Sequence, residues 1–196
     1  MIIEAPDEPC RVLGIQFTPA GAYSVLGRPL HELTGLDVDL ETLLGAAAIE
    51  LADTCYEARS AEACLDVAAR WILERLRTAR CVDPPVAWVA ARIRDRHGDV
   101  SIEALRERTG LTKSRLATTF REQIGVTPKL YGRIHRFRRA ITRLRAPSVS
   151  LSALALESGY YDQPHFSAEF RELSGLTPGE FLVAVKYETG NNVAER

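Results

Sequence analysis

An internal repeat constrains the fold of this chain more than any other feature of the sequence. Residues 101–110 are similar to 150–159 at an offset of 49, and residues 120–128 are similar to 170–178 at an offset of 50. In each copy a serine that can cap a short helix precedes a glycine that can end it, and a second helix follows almost at once. The repeat therefore predicts two helix-turn-helix units in tandem.

Apolar residues in both copies are spaced so that they can hold the two helices of a unit at a steep angle. We expect two small cores, formed by Leu105, Leu116 and Phe120 in the first copy and by Leu154, Phe166 and Phe170 in the second. A generic helical hairpin would also explain this periodicity. It would not explain the repeated glycines at positions 110 and 159.

Between the two copies, residues 131–144 have the periodicity of one continuous helix. Its predicted buried stripe consists of Ile134, Phe137, Ile141 and Leu144, and the arginines of the segment fall away from that stripe. Such a helix would hold the two units about one turn of DNA, or ~34 Å, apart. We therefore expect a monomer to contact two successive segments of the major groove.

Charge is unevenly distributed along the chain, although the net charge is only -1. Residues 1–83 hold 7 Lys and Arg against 14 Asp and Glu, a net charge of -7, whereas residues 84–196 hold 18 against 12, a net charge of +6. The stretch 113–145 alone holds 10 basic residues and one acidic residue, a net charge of +9. The phosphate backbone of nucleic acid is the natural partner of such a segment, although a solvated helix face has the same composition.

The N-terminal part has a different pattern. Residues 10–26 combine apolar side chains with glycines and a Thr-Pro-Ala-Gly sequence at 18–21, which predicts one or two short strands around a turn. Asp39 can cap a helix over 40–51, and Ser60 can cap a second helix with an apolar face over 65–76. These two helices are expected to form an antiparallel pair.

Consecutive prolines at 84 and 85 interrupt the helical pattern and mark a domain boundary. We predict a mainly α fold with three parts. These are a small α/β remnant with a dimerisation-like region at 1–83, a tandem helix-turn-helix domain at 84–185 and a flexible tail at 186–196.

Composition limits the class of protein. Hydrophobic residues make up 46% and charged residues 26% of the chain, as in globular proteins. No apolar run approaches the roughly 20 residues of a membrane span, and residues 1–9 are acidic rather than basic, so we expect a cytoplasmic protein without a membrane partner. No constellation of catalytic side chains is evident, so we do not expect an enzyme.

Cysteine and histidine spacing gives no sign of a metal site. Four cysteines lie singly in the sequence, at positions 10, 55, 64 and 81. Histidines His135 and His165 have no partner at metal-ligand spacing. We therefore expect reduced thiols, no metal and no cofactor.

The second copy of the repeat carries a long motif over residues 155–181. Its elements are Ala155, the Gly159-Tyr160 pair, Asp162-Gln163, His165-Phe166, Phe170-Arg171 and the Gly-x-Thr-Pro-x-x-Phe sequence that ends at Phe181. With this motif, residues 86–185 resemble the DNA-binding domain of the AraC/XylS family of transcription regulators. The resemblance covers roughly half of the chain. It implies seven helices, comprising two helix-turn-helix units, a linker helix and flanking helices, and it implies sequence-specific DNA binding.

The resemblance implies that the second helix of each unit, at about 113–122 and 163–172, is a recognition helix in the major groove. The residues turned toward the bases would be Ser114, Arg115, Ala117, Thr118, Gln163, Pro164, His165, Ser167 and Ala168. Arg115 suits a guanine, Gln163 suits an adenine edge, and Thr118 suits a base edge or a thymine methyl group. His165 has three roles open to it: helix packing, a phosphate contact or a base contact. The expected phosphate contacts are Lys113, Arg121, Lys129 and Arg171.

Several positions depart from the pattern of the family. Arg106 stands where members usually have alanine, as Ala155 does in the second copy. Ala117, Thr118 and Ala168 stand where longer side chains are common. Because short side chains reach fewer base edges, we expect the shape of the DNA to contribute to specificity.

In the N-terminal part, residues 10–26 resemble the last strands of the cupin-like effector barrel of this family, and residues 40–51 and 65–76 resemble its dimerisation helices. The first strands of such a barrel are absent. We therefore expect a homodimer through 40–78 that cannot form a complete effector pocket, so that the chain either acts without a ligand or begins at a late start codon. Duplex DNA is the expected partner, RNA polymerase is a further candidate, and a small-molecule effector stays open.

A second function is compatible with the same residues. The acidic N-terminal half could mask the basic half or bind another regulator, with DNA binding weakened by Ala117 and Ala168. The chain would then be a protein-interaction or anti-regulator module. The salt dependence of binding to duplex DNA separates the two functions.

Overall fold

The computed structural model describes residues 12–144 and 150–191, and for 185–191 it describes the backbone alone. Helices are the only regular elements in these two stretches. They form two compact units. One holds the described residues before Asp83 together with 123–125, and the other holds 83–122 and the residues from Val126 onward. The predicted mainly helical fold is confirmed.

The first unit contains α1 (Pro19–Leu26), a 3-10 helix (Leu30–Glu32), α2 (Leu40–Leu44), α3 (Ala46–Glu57) and α4 (Ala61–Arg77). Helix α4 packs against both α1 and α3. Ser60 caps α4 as predicted, because its hydroxyl oxygen accepts a hydrogen bond of 3.2 Å from the Ala63 amide. The buried apolar residues of this unit are Tyr23, Val25, Leu30, Ala48, Leu51 and Ala68.

The strands predicted between residues 10 and 26 are wrong for the described residues 12–26, and Cys10 lies outside the described part. Pro19–Leu26 forms helix α1 instead. Pro19 stands at the first position of this helix, where a backbone N–H would have no acceptor within the helix. The Thr18 hydroxyl caps the helix by accepting a 3.1 Å hydrogen bond from the Gly21 amide. The Thr-Pro-Ala-Gly sequence therefore begins a helix rather than a turn. The cupin-like strands are not observed in this part of the chain.

The single helix predicted over 40–51 is divided in two at Gly45. This residue has a φ of 58° and a ψ of -136°, a conformation that favours glycine, and it separates α2 from α3. Asp39 was expected to cap the helix, but its side chain makes no capping hydrogen bond.

The described residues from Pro84 onward form seven helices: α5 (Pro84–Asp95), α6 (Ile102–Thr109), α7 (Lys113–Ile124), α8 (Pro128–Leu144), α9 (Leu151–Glu157), α10 (Gln163–Ser174) and α11 (Pro178–Asn191). The repeat corresponds to the pairs α6–α7 and α9–α10. The helix predicted between the copies is α8, and it begins three residues before the predicted start at 131. Helix α11 includes residues 186–191 of the predicted tail, and 192–196 lie outside the described residues.

The two copies of the repeat differ at the start of their first helices. Ser101 caps α6 by accepting a 3.2 Å hydrogen bond from the Ala104 amide, whereas Ser150 at the start of α9 makes no side-chain capping bond. The two predicted glycines share a positive φ, which is 70° at Gly110 and 85° at Gly159. A positive φ at these turns thus recurs in both copies.

Aromatic and aliphatic side chains form a core around α8, α9 and α10. Its buried residues are Ala140, Leu144, Leu154, Ala155, Tyr160, Phe166 and Phe170, and Phe137, Ile141, Leu151, Phe181 and Leu182 pack against them. Phe170 lies at the centre, with ring centroids of Phe137, Phe166 and Phe181 between 4.8 and 5.5 Å from its own. The predicted core of the second copy is confirmed, and Leu105, Leu116 and Phe120 of the first copy are also buried.

Candidate nucleic-acid interface

Helix α7 has one buried face and one exposed face. Leu116 and Phe120 are buried, whereas Ala117 is half-buried. Thr112 precedes the helix, and its hydroxyl oxygen accepts a 3.2 Å hydrogen bond from the Arg115 amide. The predicted contact residues Lys113, Ser114, Arg115, Thr118 and Arg121 are exposed.

Helix α10 repeats this arrangement in the second copy. Asp162 caps it by accepting a 2.8 Å hydrogen bond from the His165 amide, and a proline stands in its first turn. Phe166 and Phe170 form its buried face. Of the predicted contact residues, Pro164, His165, Ala168 and Arg171 are exposed, and Gln163 and Ser167 are half-buried.

Two of the predicted contact residues on α10 are held by neighbouring side chains. The Gln163 Oε1 atom accepts a 2.6 Å hydrogen bond from the Ser152 hydroxyl of α9. The His165 ring packs edge-on against Tyr160, with ring centroids 5.5 Å apart. Ser152 was missed by the sequence reasoning. Its position eleven residues before Gln163 corresponds to no periodicity within one helix, so only the packing of α9 on α10 brings the two together.

Arg106 occupies the position where the second copy has the fully buried Ala155. Its guanidinium donates hydrogen bonds to Glu103 Oε1, at 2.9 and 2.7 Å, and to the carbonyl oxygen of Leu111, at 2.9 Å. The hydrogen bond from Arg106 lowers the pKa of the Glu103 carboxyl. The arginine therefore spans the turn between α6 and α7 rather than occupying the site of a small buried residue.

Part of the positive charge counted in the sequence is neutralised in the structure. Arg133 of α8 forms ion pairs with Glu169 and Glu172 of α10, and the distance from Arg133 Nε to Glu169 Oε2 is 2.8 Å. Hydrogen bonding to Glu172 is the main cause that raises the pKa of Arg133. The guanidinium of Arg143 lies 2.6 Å from the carboxylate of Glu157 in α9. These arginines of α8 hold the second copy in place, and their acidic partners lie outside the stretch 113–145.

Other basic residues of the same stretch remain in solvent. Lys113, Arg115, Arg121 and Lys129 are exposed, as is Arg171 on α10. The ion pairs found among the described residues do not involve them. These five residues are therefore available to an external anion, as is the exposed Arg138 farther along α8.

The described residues contain neither a metal-binding cluster nor a membrane-spanning helix. Within 12–144 and 150–191, no three His, Cys, Asp or Glu side chains are grouped so that they could hold a metal ion. None of the helices in those stretches is long and apolar enough to cross a bilayer.

Known proteins are similar to the part of the chain that contains the repeat. Residues 105–183 match the sequence model of a family described as a helix-turn-helix domain. Over 94 residues the chain is 27% identical to the arabinose operon regulatory protein of Salmonella typhimurium, a match that covers 48% of this chain and 33% of that protein. The chain thus matches about a third of the length of this relative.

Three solved structures are similar to part of this chain. The DNA-binding domain of AdpA, in complex with a target DNA, is 21% identical, with a TM-score of 0.48 over 54% of this chain and 96% of that chain. The C-terminal domain of AraT from Geobacillus stearothermophilus is 20% identical, with a TM-score of 0.47 over 51% and 84% of the two chains. The xylose-binding transcription activator xylR is 22% identical, with a TM-score of 0.44 over 55% and 29%. The match to the helix-turn-helix domain model thus covers less than half of the chain and includes most of both repeated units.

Proposed function

We propose that this chain is a DNA-binding transcription regulator of the AraC type, in which α7 and α10 are the two recognition helices. One observation carries the proposal. Within a single matched helix-turn-helix domain, the second helix of each repeated pair buries its aromatic face and leaves its other face in solvent. A helix of this kind fits the major groove of B-DNA.

Base reading is assigned to exposed and half-buried side chains of the two helices. Arg115 has a guanidinium that can bond a guanine in a bidentate manner, and Thr118 can contact a base edge or a thymine methyl group. On α10, Gln163 would read an adenine edge, with its side chain oriented by Ser152. The remaining base-reading positions that we propose are Ser114, Ala117, Pro164, His165, Ser167 and Ala168.

Phosphate contacts are assigned to exposed basic residues that form no ion pair within the described part of the chain. They are Lys113, Arg121, Lys129 and Arg171. Such contacts determine how the protein is oriented on the duplex and give the affinity its salt dependence. Arg133 and Arg143 are not assigned this role, because they pair with glutamates of α9 and α10.

A second copy of the chain is the partner that we propose for residues 40–78. Helices α3 and α4 carry large apolar side chains that are exposed, among them Ile49, Tyr56, Leu65 and Leu73. Covering these residues in a symmetric dimer would remove apolar surface from water. Sedimentation equilibrium of the full chain tests this partner, and a monomer at micromolar concentration would contradict it.

Selection of bound fragments from random duplex DNA tests the proposed function. We expect one enriched site with two short conserved blocks about one helical turn apart. A plot of the logarithm of the affinity for that site against the logarithm of the salt concentration should be linear. Each neutralised phosphate should add about 0.9 to the steepness of its slope. A chain that enriches no sequence and has no salt slope would instead support the protein-interaction function.

A further inference from the structure

The loop between α5 and α6 packs directly on the backbone of α8. Gly98 in this loop has a φ of 81°, and a Cβ atom placed on it would lie 2.0 Å from the carbonyl oxygen of Gly132. Only glycine fits there, because helical backbone of α8 occupies the space. The segment that leads into the first helix-turn-helix unit is therefore seated on the linker helix.

Arg136 of α8 joins this loop to the second unit. Its Nη1 atom donates a 3.2 Å hydrogen bond to the carbonyl oxygen of Gly98, and its Nη2 atom lies 3.5 Å from both carboxylate oxygens of Glu169 in α10. The guanidinium carbon lies 5.6 Å from the centre of the Tyr160 ring. We call Gly98, Arg136, Tyr160 and Glu169 the junction. One arginine thus contacts the loop before α6, the turn before α10 and α10 itself.

The turn of the second unit also approaches the loop before α6 directly. A Cβ atom placed on Gly159 would lie 3.4 Å from Cβ of Asp99 and 3.5 Å from Cδ of Arg136. The space between the two repeated units is therefore filled at this point. A change in the angle between them would have to disturb the contacts of Arg136.

Glu169 is the acidic member of the junction and is buried, since its side chain is 7% exposed. It faces two arginines of α8, with Arg133 Nε at 2.8 Å and Arg136 Nη2 at 3.5 Å. A buried carboxylate that loses its partners is strongly unfavourable, so an orientation of α10 that separates these groups is disfavoured. The carboxylate is buried, whereas Pro164 and Ala168 on the same helix are exposed.

We propose that Arg136 and Glu169 are positioning residues that fix the relative orientation of α7 and α10, and so determine which spacing of two half-sites in DNA the chain accepts. This inference rests on the proposed function. One inserted base pair rotates the second half-site by about 35° around the duplex axis. A fixed junction would exclude such a site, whereas a loosened junction would allow the two helices to follow it.

The test uses the full chain and duplexes derived from the site enriched by wild type. These duplexes are the enriched site, versions with the spacer shortened or lengthened by one base pair, and the second half-site alone. The variants are Glu169→Gln, which removes the buried charge at constant volume, and Arg136→Lys, which keeps the positive charge but loses the fork-shaped donor. Glu172→Gln is the matched control, because it makes the same change on the same helix at an exposed carboxylate that pairs with Arg133.

We expect both junction variants to lower the preference for the enriched spacing by about fivefold or more, while the Kd for the half-site alone changes by less than about twofold. The control should keep the spacing preference of wild type. Circular dichroism checks folding, and Arg136→Lys carries the test if Glu169→Gln does not fold.

Two failures are distinguishable. A wild-type chain that binds no duplex would contradict the proposed function. A wild-type chain that binds with a spacing preference retained by the folded junction variants, or lost equally in Glu172→Gln, would overturn this inference alone.

Discussion

The guanidinium of Arg106 donates a hydrogen bond to the carbonyl oxygen of Leu111, 2.9 Å away, across the turn between α6 and α7. The same group bonds Glu103 one helical turn earlier. An alanine at this position, like Ala155 in the second copy, would leave the Leu111 carbonyl without this donor. Arg106 therefore makes the turn of the first unit depend on a charged side chain.

Replacing Arg106 by alanine should lower the free energy of unfolding, because hydrogen bonds from a charged donor are lost. Urea denaturation followed by circular dichroism measures the change. Arg138→Ala is the control, since Arg138 is exposed on α8. An equal loss in both variants would show that the bond across the turn does not stabilise the fold.

Replacing Ser152 by alanine should weaken binding to the second half-site by about 0.5–1.5 kcal/mol, because the hydrogen bond that orients Gln163 is removed. Titration calorimetry on Ser152→Ala, Gln163→Ala and the double variant provides the measurement. The sum of the two single losses should exceed the loss in the double variant, since each single variant removes the same hydrogen bond between Ser152 and Gln163. Additive losses would show that Ser152 does not act through Gln163.

Replacing Arg115 by alanine should cost about 1–3 kcal/mol on the enriched site and relax the preference at one base pair. Lys129→Ala should instead weaken binding to all sequences alike and lower the salt slope by about 0.9. Binding to a panel of single-base variants of the site distinguishes these outcomes. Uniform losses on that panel for both variants would contradict the assignment of Arg115 to base reading.

The stability of the chain should decrease as the pH falls, because protonation of His135 in α8 disfavours the folded state. Burial, followed by the positive charges of Arg138, Arg94 and His97, lowers the pKa of His135. Protonation is thus less favourable in the folded state than in the unfolded chain. The contribution of the neutral ring is complete above about pH 6.5, the unfolded value, and is lost as the pH falls through the lower folded pKa.

Thermal unfolding between pH 7 and pH 5 tests this dependence in wild type and His135→Gln. The decrease in Tm should be smaller in the variant, which has no imidazole to protonate. The Tyr131 ring, whose centroid lies 4.5 Å from that of His135, is present in both proteins. Identical decreases would assign the pH dependence to other groups.

The repeat predicted the second helix of each unit well, because glycine turns and apolar spacing are local signals. It indicated the buried positions of Phe120, Phe166 and Phe170, and the bounds that the family resemblance implied for α7 and α10 agree with the structure to within a few residues. The roles of the exposed residues remain predictions. Their exposure follows from the same periodicity, but their contacts with DNA do not.

Local signals failed where one sequence fits two structures. The Thr-Pro-Ala-Gly sequence at 18–21 suits a turn, yet Pro19 at the first helical position and the Thr18 cap begin a helix there. The helix predicted over 40–51 continued through Gly45, because a single glycine is tolerated in a helical pattern. Its positive φ separates α2 from α3.

The ion pairs between α8 and α10 could not be predicted from the sequence, for a different reason. The sequence interval between Arg133 and Glu169 is 36 residues and that between Arg136 and Glu169 is 33, so no helical spacing relates them. A count of charges along 113–145 treats these arginines as free. Only the packing of α10 on α8 shows that they neutralise glutamates.

Helix α10 has one buried face and one exposed face, so under the proposed function its exposed face is a starting point for new DNA specificities. Its anchoring groups, Phe166, Glu169 and Phe170, are buried, whereas positions 164, 165 and 168 are in solvent. A library randomised at positions 164 and 168 would vary the exposed chemistry without altering how the helix is packed, whereas His165 packs against Tyr160. Variants from it should keep the melting behaviour of the parent chain while differing in the sequences that they select.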